Sequence, residues 1–104
     1  MLNFIKSLLG GGPKADIGEL LASGATIVDV RTPKEFAGGH AKGSINIPLS
    51  TLGNEINKVQ KLPQPIITCC RSGQRSGIGA SVLRKKGIEA YNGGSWHQVE
   101  RLNK

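Results

Sequence analysis

Pro65-Ile66-Ile67-Thr68-Cys69-Cys70-Arg71-Ser72-Gly73-Gln74-Arg75-Ser76-Gly77 is the stretch around which the chain is organised. Its first part is short, β-branched and bounded by prolines and a turn-like segment, so Pro65 to Cys69 reads as a buried strand with Cys70 at its carboxyl end. Its second part is polar and leads into Ser76 to Lys86, where Ile78, Val82 and Leu83 recur at helical spacing. Arg84, Lys85 and Lys86 fill the last turn of that helix, and Gly87 stands where a C-cap belongs. A strand, a loop and a helix follow one another, and the loop opens the helix.

Such a unit aims several backbone N–H groups at one spot, and the positive end of the helix dipole adds to them. A sulfur held there ionises more easily, because the thiolate is stabilised by those N–H groups, by the dipole and by Arg71 or Arg75. Cys70 is therefore expected to be a nucleophile. A free cysteine is also a common core residue, and Cys69 fits that description better. One residue back along a strand, it points to the opposite face, into packing.

Outward from this unit the pattern alternates. Asp16 with Glu19 reads as a capping box for a helix that packs Leu20 and Leu21 and stops at Gly24. Thr26 to Val30 is a continuous apolar strand, the pattern of a strand covered on both faces. Thr32-Pro33-Lys34-Glu35 is a second capping box with proline at the first helical position, and Gly38-Gly39-His40 ends that short helix. Ser44 to Ile47 is a short strand, and Leu49 to Leu62 is expected to be one amphipathic helix carrying Leu52, Ile56 and Val59 inward. Ile88 to Tyr91 is a last strand, Asn92-Gly93-Gly94 a turn, and Ser95 with Gln98 the cap of a terminal helix.

Strands alternating with helices argue for an α/β domain with a small, mostly parallel sheet and helices on both faces. Sites in such sheets form beyond the carboxyl ends of strands, where Cys70, Asp29 and Arg31 lie. Gly77 and Gly79 in the first turns of a helix suggest close approach of another backbone.

A chain of 104 residues holds one domain of ordinary size. Residues 1–12, a short apolar segment and a Gly-rich hinge, are set apart from a domain at 13–104. The segment is far shorter than a bilayer span, and Lys6 interrupts it, so neither a transmembrane helix nor a signal peptide is expected. Membrane association is not expected either. Two adjacent cysteines make no disulfide framework, and there are too few Cys and His for a zinc site; no cofactor or metal is expected. Free cysteines point to a reducing, cytoplasmic compartment.

A net charge of +7, from 14 Lys and Arg against 7 Asp and Glu, raises the local concentration of small anions or acidic partners. Nucleic acid is not expected: the basic residues are scattered, and one Trp, one Tyr and two Phe offer little stacking surface.

Three segments together carry a family resemblance. The loop Cys70-Arg71-Ser72-Gly73-Gln74-Arg75-Ser76-Gly77 resembles the active-site loop of single-domain rhodaneses, the thiosulfate sulfurtransferases and persulfide carriers. Asp29-Val30-Arg31-Thr32-Pro33-Lys34-Glu35-Phe36 with Gly39-His40-Ala41-Lys42-Gly43-Ser44-Ile45-Asn46-Ile47-Pro48 is similar to the other signature of that family, and Gly93-Gly94 ahead of Trp96 fits its C-terminal turn. The resemblance covers about Ala15 onward and implies a rhodanese-like three-layer α/β domain.

It also implies a sulfane-sulfur transfer through a Cys70 persulfide, with ping-pong kinetics. The donor would be a small thiosulfate-like anion, and the acceptor cyanide, a thiol or a protein. Arg71, Ser72, Gly73, Gln74, Arg75 and Ser76 would bind the substrate. Arg71 and Arg75 would hold the sulfonate oxygens, while Ser76 is more simply read as a helix cap. Asp29 and Arg31 would support the neighbouring loops. His40 reads as structural, and Trp96 as a candidate wall of the site.

Two other readings stand beside this one. Counted from Cys69, five residues precede Arg75, the spacing of a cysteine phosphatase or arsenate reductase. Thr68 stands where phosphatases usually have histidine, and no general acid is evident. The chain also fits a non-enzymatic persulfide carrier or interaction module.

Overall fold

The computed structural model describes residues 13–103. The apolar segment and hinge at 1–12 lie outside the described residues. In chain order the elements are α1 (Ile17–Ala22), β1 (Thr26–Asp29), α2 (Pro33–Ala37), β2 (Ile45–Asn46), α3 (Leu49–Leu52), α4 (Ile56–Gln60), β3 (Ile66–Cys70), α5 (Gln74–Lys85), β4 (Ala90–Ser95) and α6 (Trp96–Leu102). The strands form one parallel sheet in the order β2-β1-β3-β4. This is the α/β arrangement read from the alternating pattern.

Side chains alternate across the sheet with the two-residue period of a strand. Val28, Ile66 and Cys70 pack on one face with Leu52 of α3, Val59 of α4 and Ala80 and Leu83 of α5. Ile27, Ile67 and Cys69 pack on the other with Val99 of α6 and, at the margin, Leu20 and Leu21 of α1. Leu52 and Leu83 are fully buried, and truncating either to alanine costs about 2–5 kcal/mol.

Helix ends follow their capping residues. Thr32 and Glu35 close a complete capping box on α2, with Pro33 at the first helical position. Asp16 accepts from the Glu19 N–H at 3.1 Å, and Ser95 accepts from the Gln98 N–H at 3.1 Å. Past α5, the N–H groups of Gly87 and Ile88 bond back to Arg84 O and Leu83 O, with Gly87 at φ +81°, a left-handed close for which glycine is suited.

Three expectations need correction. Leu49 to Leu62 is two short helices, because Gly53 ends α3 and Asn54-Glu55 turns the chain before Ile56. Leu52 and Val59 still reach one core, so the apolar spacing marks a shared face rather than a continuous helix. Ile78 is 52% exposed, whereas Ser76, Gly79, Ala80 and Leu83 form the buried side of α5. Small residues line that side because Val30 and Leu52 press on it: a Cβ on Gly79 would meet Val30 Cγ1 at 3.3 Å.

The third concerns Asn92-Gly93-Gly94, which lies inside β4 and makes no turn. Thr68 pairs with Asn92 and Cys70 with Ser95, so β4 carries one residue more than β3 across this interval, a bulge. Glycine permits it. A Cβ on Gly93 would lie 2.7 Å from Ile67 Cγ2, 2.8 Å from Val99 Cγ2 and 2.9 Å from Thr68 O, and Gly94 has φ +87°.

Candidate active site

Cys70 ends β3, and the three residues after it fold back over its sulfur before α5 begins. The turn depends on Gly73, which adopts φ +96° at the N-cap and lies so close to β4 that a Cβ would meet Gly94 Cα at 3.3 Å. The Gly73 N–H donates to Cys70 Sγ at 3.0 Å and the Ser76 N–H at 3.4 Å; Ser76 Oγ lies 3.3 Å from the same sulfur. Burial pushes the Cys70 thiol up, but the Ser76 hydroxyl and the N–H groups of Ser76, Ser72 and Gly73 outweigh it and leave the thiol below its ordinary value. Cys70 is 1% exposed. Arg71 and Ser72, next in the chain, are exposed, which places the sulfur just beneath the surface.

Ser76 is not a cap. Its hydroxyl donates to Asn92 Oδ1 at 2.7 Å while also facing Cys70 Sγ. With a neutral thiol, S–H can donate to Ser76 Oγ; with a thiolate, the hydroxyl rotates and donates to sulfur. Asn92 holds this pair in place. Its Oδ1 also accepts from the Gly94 N–H at 2.9 Å, and its Nδ2 donates to Gly73 O at 2.9 Å. Gly77 leaves the space, since a Cβ there would sit 3.1 Å from Asn92 Nδ2. Thr68 Oγ1, fully buried, donates to Ser76 O at 2.8 Å, tying the helix start to the strand.

Arg75 does not reach freely into the loop mouth. Its Nη1 and Nη2 donate to Glu35 Oε1 and Oε2 at 2.7 and 3.0 Å, a two-pronged pair with the first turn of α2. The guanidinium is the main reason that Glu35 is lowered to about 2. Glu35 was visible in the sequence as a capping residue within a family signature, with no sign of its bond to Arg75. Asn92 was visible only as a turn former. Their contacts with the loop span 40 and 16 or more residues, and local spacing carries no sign of them.

Asp29 and Arg31 occupy the carboxyl end of β1 as a buried pair. Arg31 Nε lies 3.0 Å from both Asp29 oxygens and Nη2 lies 2.8 Å from Oδ2; Nη2 also donates to Gly39 O at 2.7 Å. Asn46 Nδ2 donates to the backbone carbonyls of both Asp29 and Arg31. The pair thus fixes the chain on either side of α2. The Arg31 guanidinium lies 5.0 Å from the Trp96 ring centroid, so Trp96 covers this pair. His40 stacks on Phe36 and hydrogen-bonds Phe36 O at 2.8 Å through Nδ1, a local structural contact.

Cys69 lies on the far face among Ile27, Ile67 and Val99. Burial, reinforced by the Asp29 charge, pushes its thiol up to about 12. Neither cysteine is in a disulfide. Arg71, Ser72 and Gln74 are exposed around the loop, and among the described residues Arg71 forms no ion pair. Beside Arg75 lies an open hollow of about 330 Å³ whose walls include Val30, Pro48 and Leu49. Among the described residues no helix is long and apolar enough to cross a membrane.

Known proteins resemble this chain in sequence and in fold. YqhL of Bacillus subtilis, itself uncharacterised, is 45% identical over 69 residues, covering 65% of this chain and 54% of that protein. The thiosulfate sulfurtransferase GlpE of Ectopseudomonas mendocina is 36% identical over 75 residues, 71% of this chain and 68% of the relative. This chain therefore spans between about half and two thirds of these relatives. Among solved structures, the human single-domain sulfurtransferase TSTD1 superposes with a TM-score of 0.68 at 26% identity, over 90% of this chain and 98% of that one. A rhodanese with anions from E. coli superposes at 0.64 and 28% identity, over 71% and 89%. The profile of the Rhodanese-like domain matches residues 14–99, and the chain belongs to that family.

Proposed function

We propose that this protein is a sulfurtransferase whose nucleophile is Cys70. The carrying observation is the position of Cys70 Sγ under the N–H groups of Gly73 and Ser76 and beside the Ser76 hydroxyl, with the thiol lowered there. In the forward half-reaction the thiolate attacks the outer sulfur of a thiosulfate-like donor. A Cys70–S bond forms, the donor's sulfur–sulfur bond breaks, and sulfite leaves with the electron pair. The resulting persulfide is anionic and inherits the same hydrogen-bond donors. A thiophilic acceptor, cyanide in vitro or a cellular thiol, then takes the outer sulfur and restores the thiolate.

Arg71 and the loop N–H groups meet the donor's oxygens in this reading, with Ser72, Gly73, Gln74 and Ser76 shaping the mouth. Asp29 and Arg31 support it from behind. The unit at 13–104 carries the activity, and a reducing, cytoplasmic setting belongs to the same proposal, because the nucleophile must remain a free thiol. The alternative of a persulfide carrier loaded by a protein partner gains support from Arg75, whose charge is matched by Glu35, so that fewer cations meet a small sulfonate. The phosphatase register requires Cys69, whose sulfur sits in the opposite core.

Intact mass after brief exposure to thiosulfate tests this. A gain of one sulfur, ~32 Da, on the wild type and on Cys69→Ala but not on Cys70→Ala is the expected result. An adduct that survives Cys70→Ala overturns the assignment. A wild type that turns over cyanide and thiosulfate is an enzyme; one loaded only by another persulfide is a carrier.

A further inference from the structure

The Cys70 loop is attached to the body of the domain at a place the reaction itself does not call for. Glu35 lies on α2, 40 residues from Arg75, yet its two oxygens take both terminal nitrogens of that arginine at 2.7 and 3.0 Å. Glu35 is itself held. Its Oε1 accepts from the Thr32 N–H and the Thr32 hydroxyl, both at 3.1 Å, and its backbone carbonyl accepts from Arg31 Nη1 at 3.4 Å. Arg31 is locked on buried Asp29. Among the described residues Glu35 is the only side chain hydrogen-bonded to Arg75, and the charges of Asp29 and of a Cys70 thiolate add to its hold.

Arg75 precedes Ser76, whose N–H and hydroxyl both face the sulfur. Anything that fixes the Arg75 side chain fixes the first turn of α5 against α2, and with it the two Ser76 groups. We propose that Glu35 is a positioning residue for Cys70, acting through Arg75, and that Arg75 serves the loop rather than the oxygens of a sulfur donor. The proposal rests on Cys70 as the reactive thiol, but not on thiosulfate as the donor.

Electrostatics supplies a discriminating sign. Glu35→Gln removes a negative charge and leaves Arg75 uncompensated, so by charge alone the Cys70 thiolate should become easier to form. Loss of positioning acts the other way, because Ser76 no longer holds its hydrogen bonds to sulfur. Gln also keeps the helix cap, since glutamine serves at the third position of a capping box.

The experiment is the rate of Cys70 alkylation by iodoacetamide across pH, on wild type, Glu35→Gln, Arg75→Ala and Arg75→Lys, with thermal melts beside it. Positioning predicts that Glu35→Gln slows alkylation at neutral pH by roughly tenfold and moves the profile to higher pH, and that Arg75→Ala does the same. Arg75→Lys does not restore the rate, because an ammonium cannot make the two parallel bonds. The double variant should be no worse than either single one.

A faster or unchanged Glu35→Gln overturns the proposal. So does an Arg75→Ala that alkylates normally while its KM for thiosulfate rises, which would return Arg75 to the donor's oxygens. Alkylation needs no sulfur transfer, so a protein inactive with thiosulfate still reports on the loop. A failure of the sulfurtransferase reading is thereby separable from a failure of this one.

Discussion

Cys69 and Cys70 share a strand, a peptide bond and near-complete burial, yet their chemistry diverges. Cys69 faces Ile27, Ile67 and Val99, and burial, reinforced by the Asp29 charge, pushes its thiol up to about 12. Cys70 faces the loop, where burial is outweighed by the Ser76 hydroxyl and three backbone N–H groups, and its thiol is lowered. Burial alone therefore does not decide whether a cysteine is inert. What decides it is whether the space around the sulfur is filled with methyl groups or with donors. Two ion pairs lie near this end of the sheet, Arg31–Asp29 buried and Arg75–Glu35 partly exposed.

Reactivity should show the largest difference. With a thiol near 12, Cys69 is thiolate at pH 7 in only about one molecule in 10⁵, so one equivalent of iodoacetamide should mark Cys70 at least ~1,000-fold faster. Peptide mapping of the singly labelled protein checks this, and Cys69 should label only after denaturation. Comparable labelling of both residues in the folded protein would erase the contrast.

The faces should next separate stability from chemistry. Gly93 abuts the Cys69 core, and a Cβ there would come within 3 Å of Ile67 Cγ2, Val99 Cγ2 and the backbone oxygen of Thr68. Gly93→Ala should lower stability by about 3 kcal/mol, the upper range for overpacking, because backbone as well as side chains must shift. Urea unfolding measures the loss. Cys70 alkylation in the folded fraction should change far less, and a large change there would mean that the backbone shift reaches Asn92 and Gly94, which flank Gly93 and hold the Cys70 loop.

On the other face the expected effect is smaller and chemical. Ser76→Ala removes the hydroxyl from the thiolate and leaves Asn92 Oδ1 with its Gly94 N–H. Alkylation of Cys70 at pH 7 should fall by roughly tenfold, the value of a hydrogen bond to a charged group, with the profile moved to higher pH. An unchanged profile would assign the lowering to backbone N–H groups alone.

The same contrast bears on what the sequence could reveal. Strand alternation put Cys69 and Cys70 on opposite faces, and the apolar runs around Thr26 to Val30 and Pro65 to Cys69 placed β1 and β3, because those patterns are local and periodic. The break at Gly53 and the bulge at Gly93-Gly94 were misread, since a glycine pair signals a turn and a bulge alike. Only the pairing of β4 with β3 separates them. Glu35, Asn92 and Thr68 act on the loop from elsewhere in the chain, through contacts that no spacing rule encodes. The loop that folds over Cys70 was legible in its own residues, and these three distant contacts were not.

The smallest effect expected concerns the ion pair on the Cys70 side. Glu35 is lowered to about 2 from an ordinary 4.5, chiefly by the hydrogen bond with Arg75. A carboxylate lowered on folding contributes stability that is fully present above its unfolded value and is lost as pH falls through its folded one. The window is thus about pH 4.5 down to 2, and both side chains are about a third exposed, which screens the interaction and keeps the effect modest. Urea midpoints should fall more steeply between pH 5 and about 3 in wild type than in Glu35→Gln, whose amide does not titrate, while other carboxylates cancel in the difference. Molar salt should shrink that difference. Parallel curves would mean that the pair positions the loop without stabilising the fold, the outcome in which the alkylation profile and the acid titration of Glu35→Gln part company.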